Sequence, residues 1–160
     1  MRESFFIFLI VLELTLSFLL WDDMIGSMAK RVLIIDDDTY IRELYEEVLK
    51  NEGFEVVTAA DGQEGLDHLL AGGNDAVLLD VMMPKLDGIG VLTKLKNAQP
   101  KAPNGPILLL TNLDHDPVLD QAAALGIQKH LLKADMLPPM LIEAVKTAVG
   151  LSTEHPQPGQ

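Results

Sequence analysis

Val32-Leu33-Ile34-Ile35-Asp36-Asp37-Asp38 decides the fold. Four consecutive apolar residues ended by three carboxylates read as a strand buried on both faces, which is how strands of parallel sheets look. The same form recurs along the chain. Ala76-Val77-Leu78-Leu79 ends at Asp80, Ile107-Leu108-Leu109-Leu110 ends at Thr111, and His130-Leu131-Leu132 ends at Lys133. In an open α/β sheet, chemistry sits outside the carboxyl ends of the strands, near the point where strand order reverses. The carboxylates and the lysine are therefore expected at one end of the molecule. Clustered carboxylates repel and require a cation, and a hard oxygen site of this kind suits Mg²⁺.

Between these runs the periodicity turns helical. Residues 39–51 place Ile41, Leu44, Tyr45, Val48 and Leu49 on one stripe, with Asp38 as cap and Gly53 as stop. Residues 55–59 alternate and are less apolar, so they read as an edge strand. Asp61 caps a helix to about 71 that buries Leu66, Leu69 and Leu70, and Gly72-Gly73 ends it. Further helices are expected over about 89–98, 117–125 and 138–149, with a short strand over 129–132. Strict alternation of five strands and five helices predicts a doubly wound parallel sheet with right-handed crossovers. The wholly apolar strands belong inside and the mixed ones at the edges, which selects the order 2-1-3-4-5. That order puts the switch point between strands one and three, the strands that end in Asp36/Asp37 and Asp80.

The chain has 160 residues, no cysteine and a net charge of −12, which is enough for one domain with a modest appendage. Residues 1–29 hold one arginine and four acids, so residues 30–160 carry −9. An acidic domain without a basic run argues against direct nucleic-acid binding. The lack of cysteine excludes disulfides and thiolate chemistry. Residues 5–21 are almost wholly apolar, and three readings stay open for residues 1–27: a membrane anchor, a signal peptide, or an extension upstream of a natural start at Met28. Glu13 near the centre of the run opposes insertion, and Lys30-Arg31 just past it favours a cytoplasmic C-terminal side. A domain starting at Met28 is expected to fold by itself. Residues 150–160 are expected to be disordered.

Four marks together, at the ends of strands one, three, four and five, carry a resemblance. They are Leu33 to Asp38, Leu79-Asp80-Val81-Met82-Met83-Pro84-Lys85-Leu86-Asp87-Gly88, Leu110-Thr111 and Leu132-Lys133. Over about residues 30–149 the chain resembles the receiver domain of two-component response regulators. The resemblance implies a flavodoxin-like fold and a set of roles. Asp80 would be the phosphoacceptor. Asp37 would bind Mg²⁺ directly, Asp36 through water, and Met82 through its backbone carbonyl. Thr111 would bond the phosphoryl group, Lys133 would pair with it, and Thr111 with His130 would form the switch. The donor would be a phosphohistidine on a sensor histidine kinase or a histidine phosphotransfer protein. Output would pass to a partner protein through the face of helix 4, strand 5 and helix 5. Such a cytoplasmic, stand-alone receiver is no enzyme in the ordinary sense, because it promotes only its own phosphorylation and dephosphorylation.

Each residue also has a plainer reading. Asp36 to Asp38 alone would be a solvated turn, Asp80 a loop acid and Lys133 a surface lysine. His115, between Asp114 and Asp116, and His68 read as solvated residues rather than ligands, and the methionines as core filler. Three departures from the family pattern stand out. Ala134 follows the lysine where proline is usual, so a trans bond and an altered loop are expected. His130 stands where an aromatic is usual, and Asn112 where a small residue is usual. A pseudo-receiver that binds partners without cycling phosphate is the main rival. A haloacid-type phosphatase fails because Met82 stands where its second aspartate would be. Met82 and Leu113 would flank the water that hydrolyses an aspartyl phosphate, and neither orients it, so a long-lived phosphoryl group is expected.

Overall fold

The structure is a computed structural model and describes residues 29–112, 117–127 and 129–151. The expectations for residues 1–27, Leu113, His115 and most of the tail lie outside these residues. Five strands form one parallel sheet: β1 (Arg31–Ile35), β2 (Glu55–Ala59), β3 (Ala76–Asp80), β4 (Ile107–Thr111) and β5 (Lys129–Leu132). Its order is β2-β1-β3-β4-β5, as the distribution of apolar runs predicts. Every residue of β3 is buried, whereas β2 and β5 at the edges are largely half-exposed or exposed.

Four helices connect the strands and a fifth follows β5: α1 (Thr39–Asn51), α2 (Gly62–Ala71), α3 (Gly88–Lys96), α4 (Pro117–Ala124) and then α5 (Pro138–Ala148). They bury the sheet from both sides. Val32, Ile34, Leu78, Leu108 and Leu110 pack with Tyr45 and Leu49 of α1 and with Leu141 and Val145 of α5. Leu33, Ile35, Val77, Leu79 and Leu109 pack with Leu66 and Leu69 of α2, Val91 and Leu92 of α3 and Ala122 of α4. The period of two along each strand feeds two cores, one per face.

Local signals set the helix ends. The Asp38 carboxylate accepts from the Tyr40 and Ile41 N–H groups, and Asp61 accepts from those of Gln63 and Glu64. Gly53, at φ +85°, adopts the left-handed conformation that turns the chain into β2. Asp87 caps α3 by accepting from the Gly90 N–H, so that helix begins at Gly88 and ends at Lys96, slightly before the expected span. After β5, where an altered loop was expected, the chain makes a single 3-10 turn, Lys133–Asp135. The Lys133–Ala134 bond is trans, as are all peptide bonds among the described residues.

Gly88 is a point of close backbone approach at the carboxyl end of β3. Its N–H donates to the Val81 carbonyl at 3.0 Å. A Cβ there would lie 2.5 Å from the Asp80 carbonyl oxygen and 3.0 Å from Val81 Cα. Both neighbours are backbone and cannot rotate away. Gly88→Ala should therefore lower stability by about 1–3 kcal/mol, the usual range for overpacking, read as an earlier urea midpoint. An unchanged midpoint would show that α3 slides freely on β3.

Candidate functional site

The site lies at the carboxyl end of the sheet, where β1, β3, β4 and β5 stop. Sheet pairing of β1 ends at Ile35, opposite Ala59 on one side and Leu79 on the other. Asp36 and Asp37 follow at once, and Asp80 closes β3. Carboxylate oxygens of Asp36, Asp37 and Asp80 all lie within 4.8 Å of one another. Asp36 and Asp80 are buried, while Asp37 faces solvent. The separation follows from topology, since the two strands are neighbours at the switch point.

Lys133 completes the charge balance. Its Nζ lies 2.7 Å from Asp36 Oδ2 and 2.8 Å from Asp80 Oδ2, with a side chain only 10% exposed. The lysine was expected to meet a phosphoryl group, and its bridge between both buried carboxylates is an addition from the structure. Burial alone would push the ammonium pKa down, but Asp36 and Asp80 outweigh that and hold it above its ordinary value. Burial pushes the Asp80 carboxyl up, Lys133 opposes the shift, and Asp36 reinforces it. The Met82 N–H donates to Asp80 Oδ1 at 3.2 Å. Asp36 Oδ1 accepts from the Asp38 N–H at 3.0 Å.

The other expected residues fall around this centre. Thr111 is buried at the end of β4, opposite Leu132 in the register. Met82 is 61% exposed and lines a groove of about 590 Å³ with Met83, Asp87, Val118 and Gln121. His130 is exposed on β5, opposite Leu109 and two rows before Thr111. Thr111 and His130 thus project on the same side of the sheet, on different rows and adjacent strands.

Sequence reasoning missed two residues. Arg42 Nη1 donates to the Asp36 carbonyl at 2.7 Å, and Nη2 donates to Thr39 Oγ1 at 3.2 Å. A cation this early in a helix opposes the macrodipole, and that was the available signal. Tyr45 is the other. Its phenol pKa is raised by burial, against the pull of Lys133 and with the help of Asp36 and Asp80, so it belongs to the electrostatic surroundings of the site.

The donor set fits a hard divalent cation. Three carboxylates converge, and the buried Asp36 Oδ2 has the ion pair with Lys133 but no aligned hydrogen bond. Asp37 contributes repulsion in the absence of metal. At 4.8 Å and near-water dielectric, one like-charge contact costs about 1 kcal/mol. Asp37→Asn should therefore raise the thermal midpoint in EDTA and remove the further rise that Mg²⁺ gives the native chain. A variant less stable than the native chain in EDTA would show that Asp37 carries structural bonds instead.

Comparison with known proteins agrees with this geometry. Residues 32–146 match the response regulator receiver domain family. A probable transcriptional regulator, ycf27, of Cyanophora paradoxa is 38% identical over 127 residues, covering 79% of this chain and 51% of that protein. Response regulator MprA of Mycolicibacterium vanbaalenii is 39% identical over 116 residues, covering 71% and 48%. The chain thus spans about half the length of these curated relatives. Among solved structures, Vibrio cholerae chemotaxis protein CheY4 is 30% identical with a TM-score of 0.66, covering 75% of this chain and 98% of that one. Thermotoga maritima response regulator TrrA, solved in complex with Mg²⁺ and BeF, is 34% identical with a TM-score of 0.62, covering 74% and 98%. Fold, acidic cleft and sequence converge on one assignment: this chain belongs to the response regulator receiver domain family of two-component systems.

Proposed function

We propose that the chain is a phosphoacceptor that takes a phosphoryl group onto Asp80, with Mg²⁺ held by Asp36, Asp37, Asp80 and the Met82 carbonyl. One observation carries this reading: Lys133 and three carboxylates meet at the end of β3, around Asp80, which is held by both Lys133 and the Met82 N–H. The relative solved with Mg²⁺ and BeF supports the choice of metal and of a phosphoryl-like ligand. When bound, Mg²⁺ would neutralise charge on the transferring group.

The chain's own residues do the rest. An Asp80 carboxylate oxygen attacks the phosphorus of a phosphohistidine. The P–N bond breaks, the imidazole leaves and takes up a proton, and an acyl phosphate remains. The Met82 N–H on Asp80 Oδ1 fixes the carboxylate plane. Lys133 moves from pairing two carboxylates to pairing the phosphoryl oxygens, and Thr111 bonds them from β4. The donor is a sensor histidine kinase or a histidine phosphotransfer protein. Output passes to a partner protein through α4, β5 and α5, with Thr111 and His130 as the switch pair. The only chemistry promoted is the chain's own phosphorylation and dephosphorylation, on the cytoplasmic side where ATP-dependent donors work. The carboxylate set with Lys133 disfavours a pseudo-receiver.

The test is incubation with acetyl phosphate, followed by intact mass, with and without Mg²⁺. One added phosphoryl group that disappears with EDTA supports the reading, and no uptake with Mg²⁺ present sinks it. A long lifetime of the phosphoryl group belongs to the same proposal. The exposed Met82 side chain offers no useful hydrogen bond to an attacking water. Met82→Asn should shorten the lifetime about threefold, which corresponds to ~0.7 kcal/mol of barrier. Equal decay in both proteins would remove Met82 from the account.

A further inference from the structure

We propose that Arg42 is a positioning residue for the acidic cluster, acting through the backbone of Asp36; this rests on the metal-site reading above. Asp36 stands one residue past the end of sheet pairing. Its N–H is still tied to β2, donating to the Ala59 carbonyl at 3.2 Å. Its carbonyl lies beyond the ladder, and the Arg42 guanidinium holds it at 2.7 Å. That carbonyl and the Asp37 N–H belong to one rigid peptide plane. Rotation of the plane would swing the Asp37 carboxylate away from Asp80 and twist the buried Asp36 carboxylate off Lys133.

Arg42 is well placed to prevent that rotation. Its own N–H donates to the Asp38 carbonyl at 3.0 Å, and Nη2 is braced on Thr39 Oγ1. The Asp38 N–H in turn donates to Asp36 Oδ1. The first turn of α1, the Asp36–Asp37 peptide and the Asp36 carboxylate thus form one hydrogen-bonded loop. The guanidinium bond is charge-assisted, the stronger kind. Groups that orient metal ligands from behind commonly change affinity by about 10–100-fold when removed.

The experiment uses the full chain and Mg²⁺ alone, without a phosphoryl donor. Arg42→Met keeps the length of the stem and removes every donor, while Arg42→Lys keeps a cation. Calorimetric titration should show Arg42→Met binding Mg²⁺ about tenfold more weakly, with Arg42→Lys recovering most of the loss. A second readout needs no metal: the Asp38 amide should exchange with solvent faster in Arg42→Met. Should that variant fail to fold, Arg42→Gln, with a shorter reach, takes its place under the same two measurements. Mg²⁺ affinity within about twofold of the native chain, with unchanged Asp38 exchange, would overturn the proposal. A native chain that binds no Mg²⁺ would instead sink the metal-site reading, and does so before any variant is made.

Discussion

Replacing Asp80 by asparagine should abolish phosphoryl uptake entirely. The amide is nearly the same size, so the fold should survive, but it has no anionic oxygen to attack phosphorus. Asp36 and Asp37, assigned to the metal in the proposed reading, are not expected to substitute: Asp36 is fully buried with its Oδ1 held by the Asp38 N–H, and Asp37 faces solvent next to the cap of α1. Acetyl phosphate with Mg²⁺, followed by intact mass, reads the result directly. A fully labelled Asp80→Asn protein would mean that another side chain is the acceptor. The same substitution removes one charge from a repelling cluster, so the variant should also unfold at higher temperature in EDTA.

Lys133→Ala should have the second largest effect, and on two scales. Asp36 and Asp80 are 0% and 3% exposed, and the ammonium is their shared counter-ion. Removing one partner of a buried ion pair typically costs about 3–5 kcal/mol. That loss should appear in EDTA and shrink when Mg²⁺ replaces the missing charge. Phosphoryl uptake should fall by about 10²–10³-fold, as when a preorganised donor to a developing negative charge is deleted. A variant as stable as the native chain in EDTA would show that the carboxylates are protonated or hydrated instead. The pH dependence has a defined sign. The Lys133 pKa is raised above 10.5 on folding, so its stabilisation is complete below that value and is lost as pH rises through the higher folded value. The Asp80 pKa is raised above 3.8, so its part is complete below that value and declines as pH climbs through the folded pKa. Unfolding midpoints in EDTA across both windows check the two directions.

Much of the fold was legible because burial leaves a direct mark on composition. Val32–Ile35, Ala76–Leu79 and Ile107–Leu110 are apolar throughout because both faces of a central parallel strand are covered. Glu55–Ala59 and Lys129–Leu132 are mixed because they are edges. Sorting strands by apolarity therefore recovered the sheet order. Asp38 and Asp61 were legible as cap residues because capping is local, whereas the Asp87 cap of α3 emerged only from the structure. The convergence of Asp36, Asp37, Asp80 and Lys133 followed from strand ends and topology together.

What the sequence hid was contact between backbone and distant side chains. Arg42 reaches the Asp36 carbonyl, and no spacing rule encodes which carbonyl a long side chain will find. Lys133 was readable as a cation at the site, but its bridge to Asp36 depends on how β5 ends beside β4. Ala134 signalled an altered loop after β5, but not that the loop would close as the 3-10 turn Lys133–Asp135.

The contact of Gly88 with Asp80 has a mechanical consequence. Helix α3 begins with no side chain between its backbone and the end of β3, and with a hydrogen bond from Gly88 to Val81. A junction with no slack does not damp motion. A small shift of the β3 terminus passes into α3 as displacement of a rigid rod, since closely packed interiors yield little to compression. The chain thus carries a stiff junction between β3 and α3, on the side of the sheet opposite α5.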